Sequence, residues 1–268
     1  MMKHVFACAM ALASLPGAPA AHAGEAQPLR FILIGDSTMA RGSGYGDAFC
    51  ARVAVEDTCI NLARAGRSSA SFRKEGRWEE VLGLLRAGGA YRATYVLIQF
   101  GHNDQPGKPG HSTDLATEFP ANLARYAEEA KAAGGKPVLI TPLTRRNFVN
   151  GVLDNNLRPW AAAALTVASR QDVPALDLNR DSYAAVQAMG QDAADTLAVA
   201  PRPADYVAPA TLPGTLAAPD APPPPRHTAT QSAFDRTHLG THGADYFSRM
   251  LRDELIATLP ELGAHVRP

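Results

Sequence analysis

The sequence predicts an α/β fold with a mostly parallel sheet covered by helices on both faces. Three observations carry this. Short runs rich in Ile, Val, Leu and Phe alternate with longer stretches of helical periodicity. The apolar runs are continuous rather than alternately polar, so both faces of each strand are buried, as in parallel sheets. Polar clusters rich in Gly, Ser, Asn and Asp follow the ends of these runs or precede the last helix. Sites in open α/β sheets lie there, beyond the carboxyl ends of the strands.

The elements follow in order. Arg30-Phe31-Ile32-Leu33-Ile34-Gly35 is a buried strand ending in glycine, and residues 58–62 form a second strand. Residues 78–86 are helical, with Val81, Leu82 and Leu85 on one face. Residues 94–100 are a β-rich strand. Residues 115–133 are a helix with Leu123, Tyr126 and Ala130 on one stripe, and Gly134-Gly135 stops it. A strand at 137–141, a helix at 158–170, a short strand at 173–178 and helices at 181–198 and 243–259 complete the pattern.

The 268 residues fit one large domain or two small ones, and the 46% of apolar residues suffice for a sizeable core. Basic and acidic residues number 26 each, so the net charge is zero. No global attraction to nucleic acid or to an anionic membrane follows, and any charged substrate must meet a local patch. Lys3 and His4 precede an apolar run at 5–15 that Pro16-Gly17 breaks, and Ala21-His22-Ala23 is a small-x-small cleavage site. The run is shorter than the ~20 residues a spanning helix needs. Cys8 sits too early for a lipoprotein and lacks a lipobox-like ending. A signal peptide at 1–23, cleaved after Ala23, and a secreted or periplasmic chain of 24–268 are expected. No later segment is long and apolar enough to span a membrane.

Cleavage removes Cys8 and leaves Cys50 and Cys59, which an oxidising compartment allows to pair; two buried thiols are the other reading. Nine of the 25 residues at 201–225 are proline. Such a segment is neither a regular helix nor a central strand, and is expected as an extended loop or a wall beside the site.

Four clusters carry chemistry. Gly35-Asp36-Ser37-Thr38 follows the first strand, where a serine can present its hydroxyl and backbone NH, although Asp-Ser-Thr equally begins a helix. Gly66, in Ala65-Gly66-Arg67-Ser68-Ser69, lets the backbone approach a ligand or simply serves a loop. Gly101-His102-Asn103-Asp104 offers an amide to an oxyanion or forms a turn; His102 and Asp104 lack further ligands at metal-site spacing. Asp235-Arg236-Thr237-His238 brings a carboxylate and an imidazole to one side of a turn, or caps the last helix. HExxH, CxxC and GxSxG are absent, with Gly66-Arg67-Ser68-Ser69-Ala70 a near miss to the last. Gly42-x-Gly44-x-Gly46 has the wrong spacing for a dinucleotide loop.

Taken together, the four blocks resemble the SGNH, or GDSL-like, hydrolases, in family order and over nearly the whole mature chain. The stretches Ala65–Phe72, Glu75-Gly76-Arg77-Trp78 and Gln99–Asp104 are similar to the rhamnogalacturonan acetylesterase branch. The resemblance implies a three-layer α/β/α sandwich of flavodoxin-like character. It implies Ser37 as nucleophile, His238 as general base and Asp235 as the residue orienting it. The oxyanion hole it implies comprises the NH groups of Ser37 and Gly66 and the side chain of Asn103. No cofactor and no metal are implied. The partner it implies is an acetylated polysaccharide or oligosaccharide, with pectin or rhamnogalacturonan favoured. Arg64 and Arg67 flank the oxyanion loop as candidates for binding a uronic carboxylate. Ala70 stands where the branch often has Arg, which puts substrate preference in question. Arg73, Lys74, Arg77, Arg145 and Arg146 add to an expected cationic face that disfavours lipid. The alternatives are an acetylxylan esterase, a general lipase or thioesterase of the superfamily, and a non-catalytic carbohydrate-binding protein.

Overall fold

A computed structural model of the chain describes residues 27–207 and 234–268. In chain order it contains β1 (Leu29–Gly35), α1 (Gly46–Cys50), β2 (Thr58–Asn61), α2 (Ser69–Lys74), α3 (Arg77–Arg86) and β3 (Ala93–Gln99). Then come α4 (Glu118–Ala132), β4 (Lys136–Ile140), the paired β5 (Phe148–Val149) and β6 (Val152–Leu153), and α5 (Arg158–Gln171). β7 (Ala175–Leu176), α6 (Leu178–Asp195) and α7 (Thr241–Thr258) follow. Five strands form one parallel sheet in the order β2-β1-β3-β4-β7. That is the flavodoxin-like order, in which the chain starts in the middle and winds outward both ways.

The period of two along each strand sorts side chains into two cores. Phe31, Leu33, Tyr95, Leu97, Val138 and Ile140 pack with Phe49 of α1, Val186 of α6 and Phe247, Leu251 and Leu255 of α7. Ile32, Ile34, Val96, Ile98 and Leu139 pack on the other face with Phe72, Trp78, Phe119, Tyr126 and Trp160 from α2 to α5. The sheet is therefore the middle of three layers, and its strands are apolar throughout because both faces are covered.

Element boundaries differ from the sequence expectation where side chains capture the backbone. The helix expected from 115 begins at Glu118, because Asp114 Oδ1 accepts the NH groups of Ala116 and Thr117 and holds a turn there. The strand expected at 173–178 shortens to Ala175–Leu176, because Asp177 caps α6 by accepting the Arg180 NH. α6 therefore starts at Leu178 rather than 181, and Gly190 interrupts it with φ 74°. Cys50 at the end of α1 is disulfide-bonded to Cys59 in β2, with a Cα–Cα separation of 5.3 Å. The expected leader at 1–23 and residues 208–225 of the Pro-rich segment lie outside the described residues. Among the described residues no helix is long and apolar enough to cross a membrane.

Candidate active site

The polar clusters gather at the carboxyl edge of the sheet, because β1, β2 and β3 are adjacent and all end there. Gly35 ends β1 so close to β3 that a Cβ there would lie 2.6 Å from the Gln99 carbonyl oxygen, so only glycine fits. Beyond it the chain turns: the NH groups of Met39 and Ala40 both donate to the Asp36 carbonyl. The Asp-Ser-Thr segment is therefore a turn, not the start of a helix. Ser43 Oγ donates to the Ser37 carbonyl at 2.8 Å and stabilises it.

Ser37 Oγ lies 2.9 Å from His238 Nε2, bridging 201 positions of sequence. His238 Nδ1 lies 2.8 Å from Asp235 Oδ2. Asp235 Oδ1 accepts the NH groups of Thr237 and His238, each at 2.7 Å, which locks the carboxylate on its own turn. Burial alone would raise the Asp235 pKa, but the hydrogen bonds and charge of His238 outweigh it and bring it to about 2. The carboxylate is thus ionised at neutral pH and accepts Nδ1–H. That leaves Nε2 as the acceptor for the serine hydroxyl. A hydroxyl, an imidazole and a carboxylate in this sequence of contacts can carry out nucleophilic acyl transfer. Asp235 does not cap α7, whose N-cap is Gly240.

The candidate oxyanion donors lie around Ser37. Among the described residues, neither the Ser37 NH nor the Gly66 NH donates to another protein group. Gly66 has φ 80°, a left-handed backbone that favours glycine, while the space around it is open. The sequence of constraints there is conformational rather than steric. Asn103 Nδ2 donates one hydrogen to the Arg67 carbonyl at 3.0 Å, which ties the amide to the residue after Gly66.

Below the serine runs a buried polar network. Asp36 Oδ1 accepts the Thr38 NH at 2.9 Å and hydroxyl at 2.8 Å, and Oδ2 meets His102 Nδ1 at 3.2 Å. Thr38 Oγ1 accepts from Gln99 Nε2 at 2.7 Å, and Gln99 Oε1 accepts from the Tyr45 hydroxyl. Burial opposes ionisation of Asp36, yet His102 and Thr38 hold its pKa at about 2. Burial pushes the His102 pKa down, with Arg145 and Lys108 adding to that and Asp36 opposing it. Asp104 accepts the NH and hydroxyl of Ser69 and the Thr113 hydroxyl, and burial raises its pKa to about 6 despite these bonds. His102 and Asp104 are both engaged by protein groups. Among the described residues no three His, Cys, Asp or Glu side chains group as a metal site.

The arginines grouped in the sequence as one cationic face divide in the structure, and that expectation is corrected. Arg145 and Arg146 are buried, not surface groups. Arg145 donates to Gln105 and Asn156, and Arg146 to backbone carbonyls of the 235–238 turn. Arg73 pairs with Glu129. Arg67 and Arg77 share Glu75, each Nε within 2.9 Å of Oε2. Arg64 is exposed and has no polar side-chain partner among the described residues. The sequence reading counted Arg146 only as part of a cationic face and missed Tyr45 and Lys108; the partners of Arg146 and Tyr45 are distant in the chain, whereas Lys108 bonds His102 and Asn103, six and five residues before it.

A model of the GDSL-like Lipase/Acylhydrolase family matches residues 33–206. The chain is similar to rhamnogalacturonan acetylesterase RhgT of Bacillus subtilis, at 29% identity over 86% of this chain and 96% of that protein. It is 31% identical to the probable rhamnogalacturonan acetylesterase YesY of the same organism, over 59% of this chain and 70% of YesY. Among solved structures, YxiM of Bacillus subtilis superposes with a TM-score of 0.62 at 22% identity, over 87% of this chain and 57% of that longer one. Axe2, an acetylxylan esterase from Geobacillus stearothermophilus, superposes with a TM-score of 0.52 at 17% identity, over 84% of this chain and 93% of that one. These two share the three-layer fold.

Proposed function

Because the chain belongs to the GDSL-like lipase/acylhydrolase family, in its rhamnogalacturonan acetylesterase-like branch, and is a carboxylic-ester hydrolase, we propose that it removes O-acetyl groups from a cell-wall polysaccharide through Ser37, His238 and Asp235. The observation that carries the assignment is the unbroken contact chain from Ser37 Oγ through His238 to Asp235. Ser37 Oγ attacks the acetyl carbonyl as His238 Nε2 takes its proton. The negative oxygen of the tetrahedral intermediate is stabilised by the NH groups of Ser37 and Gly66 and by Asn103 Nδ2. Collapse expels the sugar oxygen, which receives the proton from His238, and leaves an acetyl ester on Ser37. Water, deprotonated by His238, attacks that ester and releases acetate and the free serine. Asp235 holds the imidazole tautomer and stabilises the imidazolium at both stages.

The substrate class we favour is acetylated rhamnogalacturonan. It is supported by the similarity to RhgT and YesY and by Arg64, an uncommitted guanidinium in the loop that carries Gly66. The capture of Arg67 by Glu75 favours a second reading, neutral acetylxylan, because it removes one of the two charges expected to select a uronate. The working unit in this proposal is the hydrolase domain 24–268, including the Pro-rich segment 201–225, exported by the leader at 1–23. A fluorophosphonate probe tests the mechanism. Mapping of its adduct to Ser37 is expected, and an adduct at another serine with Ser37 unmodified overturns the assignment. The exported protein should begin at Gly24 and yield linked Cys50 and Cys59 peptides; an N-terminus at Met1 would refute export.

A further inference from the structure

Lys108 lies five residues beyond Asn103, in a loop that the catalytic assignment leaves unused. Its Nζ donates to Asn103 Oδ1 at 2.9 Å and to the His102 carbonyl. The contact is built rather than incidental. Ser112 Oγ accepts the Lys108 NH and donates to the carbonyls of Gln105 and Lys108, and Gly107 and Gly110 take positive φ to close the loop. Lysines usually keep the ammonium in water, whereas this one is half-buried against two carbonyl oxygens.

We propose, resting on the assignment of Asn103 to the oxyanion hole, that Lys108 is a positioning residue that orients and polarises the Asn103 amide for transition-state stabilisation. Two constraints decide which way the amide faces. The ammonium requires the oxygen on its side, and the Arg67 carbonyl requires the NH₂ group on the other. A flipped amide would meet repulsion at both ends. With one Nδ2 hydrogen given to Arg67, the second is left for the developing oxyanion. A positive charge on Oδ1 also draws electron density from the nitrogen, so the remaining N–H becomes a stronger donor.

Charge on Lys108 should matter, and its surroundings set when it is lost. Burial lowers its pKa to about 8; Arg145 pushes the same way, while Asp36 and Asp104 oppose. The neutral imidazole of His102 adds no charge on that side. Deprotonation above that pH leaves an amine that still donates a hydrogen bond but no longer polarises the amide, so activity falls to a lower plateau, not to zero.

The test uses the mature enzyme on p-nitrophenyl acetate with Lys108→Met, Lys108→Arg, Asn103→Ala and the Lys108→Met/Asn103→Ala double variant. Lys108→Met is expected to lower kcat roughly tenfold to a hundredfold, the scale for loss of a hydrogen bond to a charged group, with KM little changed. The double variant should be no slower than Asn103→Ala alone, because Lys108 acts through Asn103. Wild-type kcat should step down as pH passes about 8, and Lys108→Met should lack the step. Lys108→Arg should keep most of the activity without the step, because guanidinium stays charged. An equal loss from Lys108→Met in both backgrounds, or survival of the step in Lys108→Arg, overturns the proposal. If Lys108→Met does not fold, the pH profile of Lys108→Arg decides alone. An Asn103→Ala enzyme of full activity would instead defeat the oxyanion assignment beneath it. A slow Asn103→Ala beside a fully active Lys108→Met would defeat only the role of Lys108.

Discussion

Arg146 donates from Nη2 to the carbonyl of His238 at 2.7 Å, although 92 residues separate the two. The same nitrogen reaches the Asp235 carbonyl at 3.1 Å, and the Arg146 NH donates to the Arg236 carbonyl at 2.8 Å. Arg236 in turn makes two bonds to Asp195 at the end of α6. The turn that carries Asp235 and His238 is therefore gripped through its backbone and anchored to the helical layer. The geometry of the proposed triad is thus supported by Arg146, Arg236 and Asp195, which lie outside it.

Arg146→Met tests that grip. The aliphatic replacement fills much of the space but leaves the carbonyls of Asp235 and His238 without their donor, a destabilisation of about 1–3 kcal/mol per unsatisfied group. A lower melting temperature is expected. kcat should fall by up to roughly 10²-fold, because small displacements of catalytic groups are costly. KM for a small acetate ester should hardly move. A variant with a lowered melting point and wild-type kcat would show that the turn holds its shape without Arg146.

Direct removal of the reacting groups should be far more damaging. Ser37→Ala and His238→Ala are each expected to lower kcat by roughly 10⁴–10⁶. Asp235→Asn should lower it by about 10⁴, because an amide nitrogen facing Nδ1 favours the wrong imidazole tautomer. Asn103→Ala should lose about 10²–10³. Circular dichroism should show all four folded. Near-normal turnover in Ser37→Ala would exclude the proposed mechanism.

The sheet was legible because its strands are apolar on both faces, a pattern that needs no partner to be recognised. Ser37, Asn103, Asp235 and His238 stood out because short blocks resembling a known family contain them, and folding brings Ser37, His238 and Asp235 into the contact on which the proposed mechanism rests. What sequence could not convey is which distant group each charge chooses. Arg145 and Arg146 look like surface arginines until folding buries them against carbonyls, and Arg67 looks available until Glu75 takes it. Asp114 and Asp177 shifted helix starts for a similar reason: a side chain accepting local NH groups outweighs the periodicity around it. The hairpin at Asn150-Gly151 has a local signal of its own, the Asn-Gly pair with both φ angles positive.

Away from the site, Glu254 of α7 lies beside Asp181 of α6, and burial followed by repulsion from Asp181 raises its pKa to about 8. An unfolded glutamate titrates near 4.3. Between those values the folded chain holds a proton that the unfolded chain has released, so stability falls as pH rises towards 8 and then levels. Glu254→Gln should flatten that slope, and at pH 8–9 should melt at or above the wild-type temperature. Melting curves across pH 5–9 decide it. A wild-type slope retained by Glu254→Gln would show that another group is responsible.

On the proposed function, substrate choice should turn on how much cationic charge the loop carrying Gly66 leaves free. Arg64 is exposed and uncommitted among the described residues, and guanidinium can pair bidentately with a uronic carboxylate. Arg67 can do so only by loosening its contact with Glu75, which Arg77 also holds. Turnover of acetylated rhamnogalacturonan fragments should therefore exceed that of neutral acetylxylan at low salt. The difference should shrink as salt rises, because exposed pairs are screened within about 10 Å at 0.1 M. Arg64→Ala should reduce the preference more than Arg67→Ala, and Glu75→Gln should increase it by releasing Arg67. Activity on p-nitrophenyl acetate should greatly exceed that on the octanoate ester. Faster turnover of acetylxylan, with Arg64→Ala indifferent to substrate charge, would remove the pectin preference and leave the acetylesterase standing; a preference for long acyl chains would remove both.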